Sequence, residues 1–201
     1  MEATATLLSR ALDPAVQPPD DTTSERILDA ALALCAASGV RHLTMDDVAG
    51  RAGVGRMTVY RRFGDRDTLV EALGVREARR CLARLDAAVD QSAPLADQVA
   101  DGFLASMRIA REHPLLIRLA RSEPEVVLAA LTADDGAIFG LMRGWLTPRL
   151  GDEEAAELLV RLCVSFVLVQ ESVLPLDDER AARATARRMI APMVTAMEAE
   201  G

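Results

Sequence analysis

The sequence predicts an all-α protein, on three grounds. Ala, Leu and Arg dominate and β-branched runs are scarce, a composition that loses little side-chain freedom in helices. Apolar residues recur at helical rather than alternating spacing. Pro114, Pro124, Pro148 and Pro175 lie near the ends of those periodic segments, where a helix must stop or start. At 201 residues and 50% hydrophobic content the chain can bury the core of one moderate domain or two small ones.

In order along the chain, residues 1–21 contain Pro14, Pro18 and Pro19 and end in Asp20 and Asp21, which reads as a mobile tail. The first helix starts after Thr22, which has capping-box spacing to Glu25. Ile27, Ala31, Leu34 and Cys35 form its apolar face, and Ser38-Gly39 ends it. A short second helix follows Thr44, a good N-cap, with Asp46 and Asp47 in the first turn, where acids favour the dipole. Gly53 interrupts it. A third helix runs from about Gly55 to Phe63, and Gly64-Asp65 separates it from a long fourth helix, capped by Asp65, reaching about Val89. Further helices are expected at about 95–111, 115–121, 124–131, 135–147, 153–174 and 178–199, with Pro192 kinking or shortening the last.

The stretch LTMDDVAGRAGVGRMTVYRRFGDRD, residues 43–67, carries the informative pattern. Val48, Ala49, Ala52, Val54 and Val59 can close a small core between two short helices, and Gly53 supplies the left-handed turn. With Val59 and Phe63 inward, a helical wheel points Met57, Thr58, Tyr60 and Arg61 outward. Arg56 lies at the N-terminal edge and Arg62 on a flank. The net charge of −8 argues against a nucleic-acid partner, but it is unevenly spread. Residues 54–66 hold four Arg against Asp65, net +3, whereas residues 67–201 hold fifteen Arg against twenty-two acids, net −7. A basic ridge on an acidic body suits a polyanion gripped at one spot and repelled elsewhere. A short helix bearing cations, an aromatic and a hydroxyl fits the major groove of DNA. Thr44 opens a helix whose free amides can meet a phosphate. Arg66, a cation in the first turn of its helix, opposes the dipole, and an external phosphate would remove that oddity.

The segment LTMDDVAGRAGVGRMTVYRRFGDRDTLVEAL resembles the DNA-binding region of the TetR family of transcriptional regulators, over about residues 23–73. The resemblance implies an N-terminal three-helix helix-turn-helix DNA-binding domain at 22–66, followed by a helical ligand-binding and dimerisation domain at 67–201. It implies a homodimer on a palindromic operator, most simply a repressor released by a small molecule. The family's DNA contacts fall on Thr44, Arg56, Met57, Thr58, Tyr60, Arg61, Arg62 and Arg66. The expected division of labour gives Arg56 a base, Met57 and Thr58 further groove contacts, and Tyr60, Arg62 and Arg66 phosphates; Arg61 could do either. Gly55 stands where the family often has a hydroxyl N-cap, which weakens the start of the third helix.

In the remainder, the 153–174 segment is apolar nearly all round, which implies burial on two sides. It and the last helix, with Ala181, Ala184, Met189, Ala191, Met193 and Met197, are expected to form a four-helix dimer interface. Phe103, Met107, Phe139, Met142, Trp145 and Phe166 are the bulky groups that could line a cavity, with Gln170 orienting a mainly apolar ligand; each is also an ordinary core residue. Cys35, Cys81 and Cys163 are far apart and lack metal-type spacing, so reduced core thiols and a cytoplasmic location are expected. No basic leader with a long apolar run suggests secretion, and the longest apolar run, residues 162–169, is too short for a bilayer. Neither His42 nor His113 sits in a metalloprotease pattern or beside a nucleophile, and Gly50, Gly53 and Gly55 follow no strand. Catalysis, metal and cofactors are therefore not expected. The remaining alternatives are a helical protein-interaction module without DNA binding, and an enzyme.

Overall fold

The computed structural model describes residues 21–125, 137–169 and 171–198. The described residues are helical, with short connections and no strand. In chain order the helices are α1 (Thr22–Ser38), α2 (Met45–Ala52), α3 (Arg56–Phe63), α4 (Arg66–Ala88), α5 (Leu95–Glu112), α6 (Pro114–Ser122), α7 (Ala137–Leu150), α8 (Glu153–Leu168), α9 (Glu179–Met189) and α10 (Ala191–Glu198), with a single 3₁₀ turn at Val40–His42.

The chain forms two compact units, Met1–Arg80 with His113–Asp135, and Cys81–Glu112 with Gly136–Gly201. α4 begins in the first and ends in the second. These units follow packing, and their boundary differs from the motif-based division at 66/67. In the first unit Ile27, Leu28, Ala31 and Cys35 of α1 meet Val48 of α2, Val59 and Phe63 of α3, and Leu69 and Leu73 of α4 in one buried cluster. In the second, Phe103 and Met107 of α5 share a cluster with Ala155, Ala156 and Leu159 of α8 and Ile190 and Val194 of the C-terminal pair.

Several helix ends follow the local signals. Thr44 accepts a hydrogen bond from the Asp47 amide, Asp152 from Ala155, and Asp178 from Ala181; Asp65 likewise accepts from Thr68 N–H at 2.8 Å. α1 is a correction. Its cap is Asp21, not Thr22: the carboxylate accepts from both Thr23 and Ser24 amides at 2.8 Å. A carboxylate reaches two amides at once and carries the charge that the N-terminus favours, so it displaces the hydroxyl. α8 stops at Leu168 rather than 174, because Val169 takes extended backbone (φ −119°, ψ 93°). The expected last helix is two, divided at Ile190 just ahead of Pro192. Pro148, expected to end a helix, lies in the last turn of α7. The helix expected at 124–131 and the tail at 1–20 lie outside the described residues.

Candidate nucleic-acid interface and ligand cavity

The α2–α3 corner is built as its residues require. Gly53 closes α2 in the left-handed conformation (φ 64°, ψ 39°), its N–H directed at the Ala49 and Gly50 carbonyls. Arg26 of α1 donates to the Ala52 carbonyl at 2.5 Å, and a Cβ on Gly53 would come within 3.2 Å of that guanidinium. Side chain and turn therefore both favour glycine there. Val59 and Phe63 are buried, which fixes the rotation of α3. α3 starts at Gly55 without a side-chain cap.

That rotation turns the outward residues to solvent. Met57 is 75% exposed, an unusual position for a large thioether. Arg61 is exposed and has no partner among the described residues. Arg56 makes an exposed ion pair with Asp46 of α2 (2.8 Å), and its guanidinium lies 5.4 Å from the Tyr60 ring. Thr58 and Tyr60 are half-buried, and Tyr60 packs partly on the first core. Thr44 is exposed at the start of α2. Five of these residues lie on α3, and Thr44 caps the start of α2, whose Asp46 pairs with Arg56.

Arg62 and Arg66 are placed differently from the rest. Arg62 turns back to α1, donating to the Asp21 carboxylate and to Ser24 Oγ (2.9 Å). The Ser24 amide chiefly holds the Asp21 carboxyl below its usual value, with Arg62 adding to the effect against a smaller opposing push from burial. Arg66 donates through Nε to the Leu43 carbonyl (3.0 Å) and through Nη2 to the Val40 carbonyl (2.7 Å), and pairs with Asp67 (2.8 Å). Its position in the first turn of α4 thus needs no external phosphate: two carbonyls and a carboxylate already surround the cation. Sequence reasoning missed this because the acceptors lie 26 and 23 residues away.

His113 has a structural place. Its Nδ1 accepts from the Leu116 amide as the N-cap of α6 (3.4 Å), so Nε2 carries the proton and donates to Glu77 Oε2 (3.0 Å). Burial pushes the Glu77 carboxyl up, but His113, Arg76 and Arg80 outweigh it and hold the group below its usual value. His42 is exposed in the 3₁₀ turn. No metal-holding cluster of His, Cys, Asp or Glu occurs among the described residues, and none of their helices is long and apolar enough to cross a membrane.

The second unit holds a cavity of about 260 Å³. Of the residues expected to line it, Phe103, Met142 and Trp145 do. Met107 lies instead at a separate depression beside Arg108 and Arg111. Phe166 packs edge-on against Phe103 (centroids 5.5 Å apart, planes at 80°), and Phe139 lies under the Arg161 guanidinium at 4.9 Å; neither lines the cavity. Gln170 is outside the described residues. Sequence reasoning missed the contribution of α4 and its end: Leu82 and Leu85 of α4 and Val89 just beyond it enter the wall, and their spacing of three and four was a legible stripe. It also missed Arg149. Cys163 lines the cavity, and burial pushes its thiol up to about 11 against a weak contact from Ser106.

With this geometry in place, comparison with known proteins is informative. The family model described as bacterial regulatory proteins, tetR family, matches residues 27–73, which span most of α1, all of α2 and α3, and the first turns of α4. The HTH-type transcriptional regulator AlkX of Mycobacterium tuberculosis is 26% identical over 181 residues, covering 84% of this chain and 83% of that one. Residues 27–73 thus match the DNA-binding region of the TetR family, and the chain resembles a transcriptional regulator along most of its length. Two solved structures share the fold. The repressor AlkX from Dietzia, described as implicated in biodegradation of n-alkanes, has a TM-score of 0.59 at 22% identity over 85% of this chain and 96% of its own. The fatty acid degradation regulator FadR from Bacillus halodurans has a TM-score of 0.62 at 16% identity over 86% and 96%.

Proposed function

We propose that this chain is a TetR-family regulator, a cytoplasmic homodimeric repressor that binds a palindromic operator through α3 and leaves it when a small, mainly apolar molecule fills the cavity of the second unit. The observation that carries the DNA-reading part is the outward corner of α3, where Met57 and Arg61 are exposed and unengaged while Val59 and Phe63 anchor the helix. A partner-free guanidinium beside an exposed apolar side chain has a base edge, a phosphate and a thymine methyl as natural complements.

In this reading Arg56 reads a base, guanine being the natural match, after exchanging Asp46 for the groove. Met57 and Thr58 make further groove contacts, Tyr60 and the α2 start at Thr44 meet phosphates, and Arg61 contacts phosphate or base. Arg62 and Arg66 contribute by bracing α3 and the α1–α2 connection, since Arg62 Nη1 and Arg66 Nε and Nη2 are engaged within the protein. The functional division remains a DNA-binding segment at 22–66 and an effector-binding and dimerisation segment at 67–201, with α4 the continuous helix from the end of α3 to the cavity wall. Dimerisation is assigned to α8 and the C-terminal pair, where Leu158, Val169, Met189 and Met193 are exposed.

Binding isotherms on operator and random duplexes at several salt concentrations test the reading. Arg56→Ala is expected to lose about 1–3 kcal/mol on the operator and to blur one base position. Arg61→Ala as a phosphate contact would lower the salt slope by about 0.9. Equal affinity of wild type and both variants for all duplexes would remove α3 from DNA recognition.

A further inference from the structure

The wall of the cavity is apolar except at one end. There Asp86 of α4 and Arg149 of α7 are the two charged residues of the lining, and they pair with each other at 3.1 Å. Arg149 is closely held. Its guanidinium stacks 3.8 Å over the Trp145 ring, Nη1 donates to the Trp145 carbonyl at 2.5 Å, and Nε and Nη2 both face the Asp86 carboxylate. Two of the other polar lining side chains, Ser106 and Gln98, are occupied as donors, while Gln91 is exposed. Ser106 Oγ donates to the Phe103 carbonyl (2.7 Å), and Gln98 Nε2 donates to the Ala93 and Gln91 carbonyls (2.8 and 3.2 Å).

From this charge arrangement, and resting on the reading of the cavity as the effector site, we infer that the ligand is an uncharged single-chain amphiphile whose polar end lies against the Asp86–Arg149 pair, and that Asp86 excludes carboxylates. An arginine alone at the end of an apolar cavity would call for an anion. This one is already neutralised from inside the wall. A ligand carboxylate would meet Arg149 and Asp86 at similar distances, so attraction and repulsion cancel; the pair is 32% and 47% exposed, and the anion would shed part of its water with no net attraction in return. A hydroxyl meets the same pair well, because it donates to Asp86 while accepting from a remaining Arg149 hydrogen. At ~30 Å³ per water-sized group, 260 Å³ holds roughly nine non-hydrogen atoms, the size of 1-octanol.

Trp145 is the chain's single tryptophan and lines the cavity, so its emission reports occupancy directly. The experiment titrates the full-length protein with 1-octanol and with octanoate at a pH where octanoate is ionised, and follows in parallel the anisotropy of a labelled operator recovered by genomic footprinting. The wild type is expected to show saturable octanol binding at least about tenfold tighter than octanoate, a difference of 1.4 kcal/mol. Asp86 is half-exposed, so Asp86→Asn should fold, and it is expected to reverse the order of the two ligands. Arg149→Gln should remove the reversal when combined with Asp86→Asn. Gly102→Leu is the control for a general solvent effect. Gly102 lines the cavity, and a Cβ there meets Val89 Cγ2 at an ordinary 3.6 Å, so the larger side chain should fill the space and abolish the response.

Octanoate binding as tightly as octanol to the wild type would overturn the inference while leaving the regulator reading intact. An octanol response unchanged in Gly102→Leu, or no saturable response to either compound, would overturn it as well. Octanol binding that leaves operator anisotropy unchanged would support the inference and overturn ligand release as the function of the cavity.

Discussion

Replacing Arg66 separates two roles that the same guanidinium could have, phosphate clamp or internal brace. In the structure it satisfies the carbonyls of Val40 and Leu43, both part-buried, and so fixes the connection that delivers Thr44 to the start of α2. Arg66→Ala leaves two acceptors without their charged donor. Hydrogen bonds to charged groups contribute about 1.5–3 kcal/mol each when buried. The side chain is 37% exposed, so water replaces part of that, and the sum is about 2 kcal/mol. For a chain of this length that lowers Tm by ~4–8 °C where unfolding is cooperative. Arg66→Lys should recover little of it, since a point ammonium cannot bridge two carbonyls as a planar fork does. Thermal unfolding gives the first readout and the salt dependence of DNA binding the second. A brace lowers Tm and leaves the slope of log K against log salt unchanged. An unchanged Tm with a slope reduced by about 0.9, the signature of one lost phosphate contact, would refute the brace.

Other expectations follow from single contacts. Arg61→Ala should alter stability by less than about 0.5 kcal/mol, because the side chain has no partner among the described residues; circular dichroism melts check this. Gly53→Ala should cost roughly 1–2 kcal/mol, because the left-handed backbone at φ 64° crowds a Cβ, read as a lower Tm. Glu77 has a folded pKa below its unfolded value. Its contribution is therefore fully present above the unfolded value, about 4.3, and is lost as pH falls through the folded one. Acid melts should show a shallower pH dependence for Glu77→Gln than for wild type. Leu158→Asp, at a position 46% exposed, should shift light-scattering mass from dimer to monomer without unfolding the protein.

The parts of the fold legible in the sequence are those set by neighbours in the chain. Gly53, Thr44, Asp65, Asp152 and Asp178 act within a turn of where they stand, and all behave as their local chemistry dictates. The inward placement of Val59 and Phe63 also followed from helical period alone, and it set which side of α3 faces out. Contacts closed by distant residues were not legible. Arg62, read on a flank of the third helix, and Arg66 were both assigned to phosphates because nothing near them in sequence announces Asp21, Val40 or Leu43 as partners. Asp21 outcompeted Thr22 by one residue, a choice that depends on the entry angle of the chain. In the cavity, bulk alone selected Phe103 and Trp145 correctly but also Phe139 and Phe166, which pack elsewhere. The α4 stripe was overlooked because that helix serves one core at its start and the cavity at its end.

The central claim is that the exposed corner of α3 reads duplex DNA. Genomic footprinting of the wild type beside a Met57→Ala/Arg61→Ala double variant tests it most directly. The account predicts protected palindromes whose half-sites lie about one helical turn apart, or a multiple of it, with protection weakened or lost in the variant while its melting temperature stays at the wild-type value. Protection that persists unchanged in the variant, or no sequence common to the bound fragments, would contradict it.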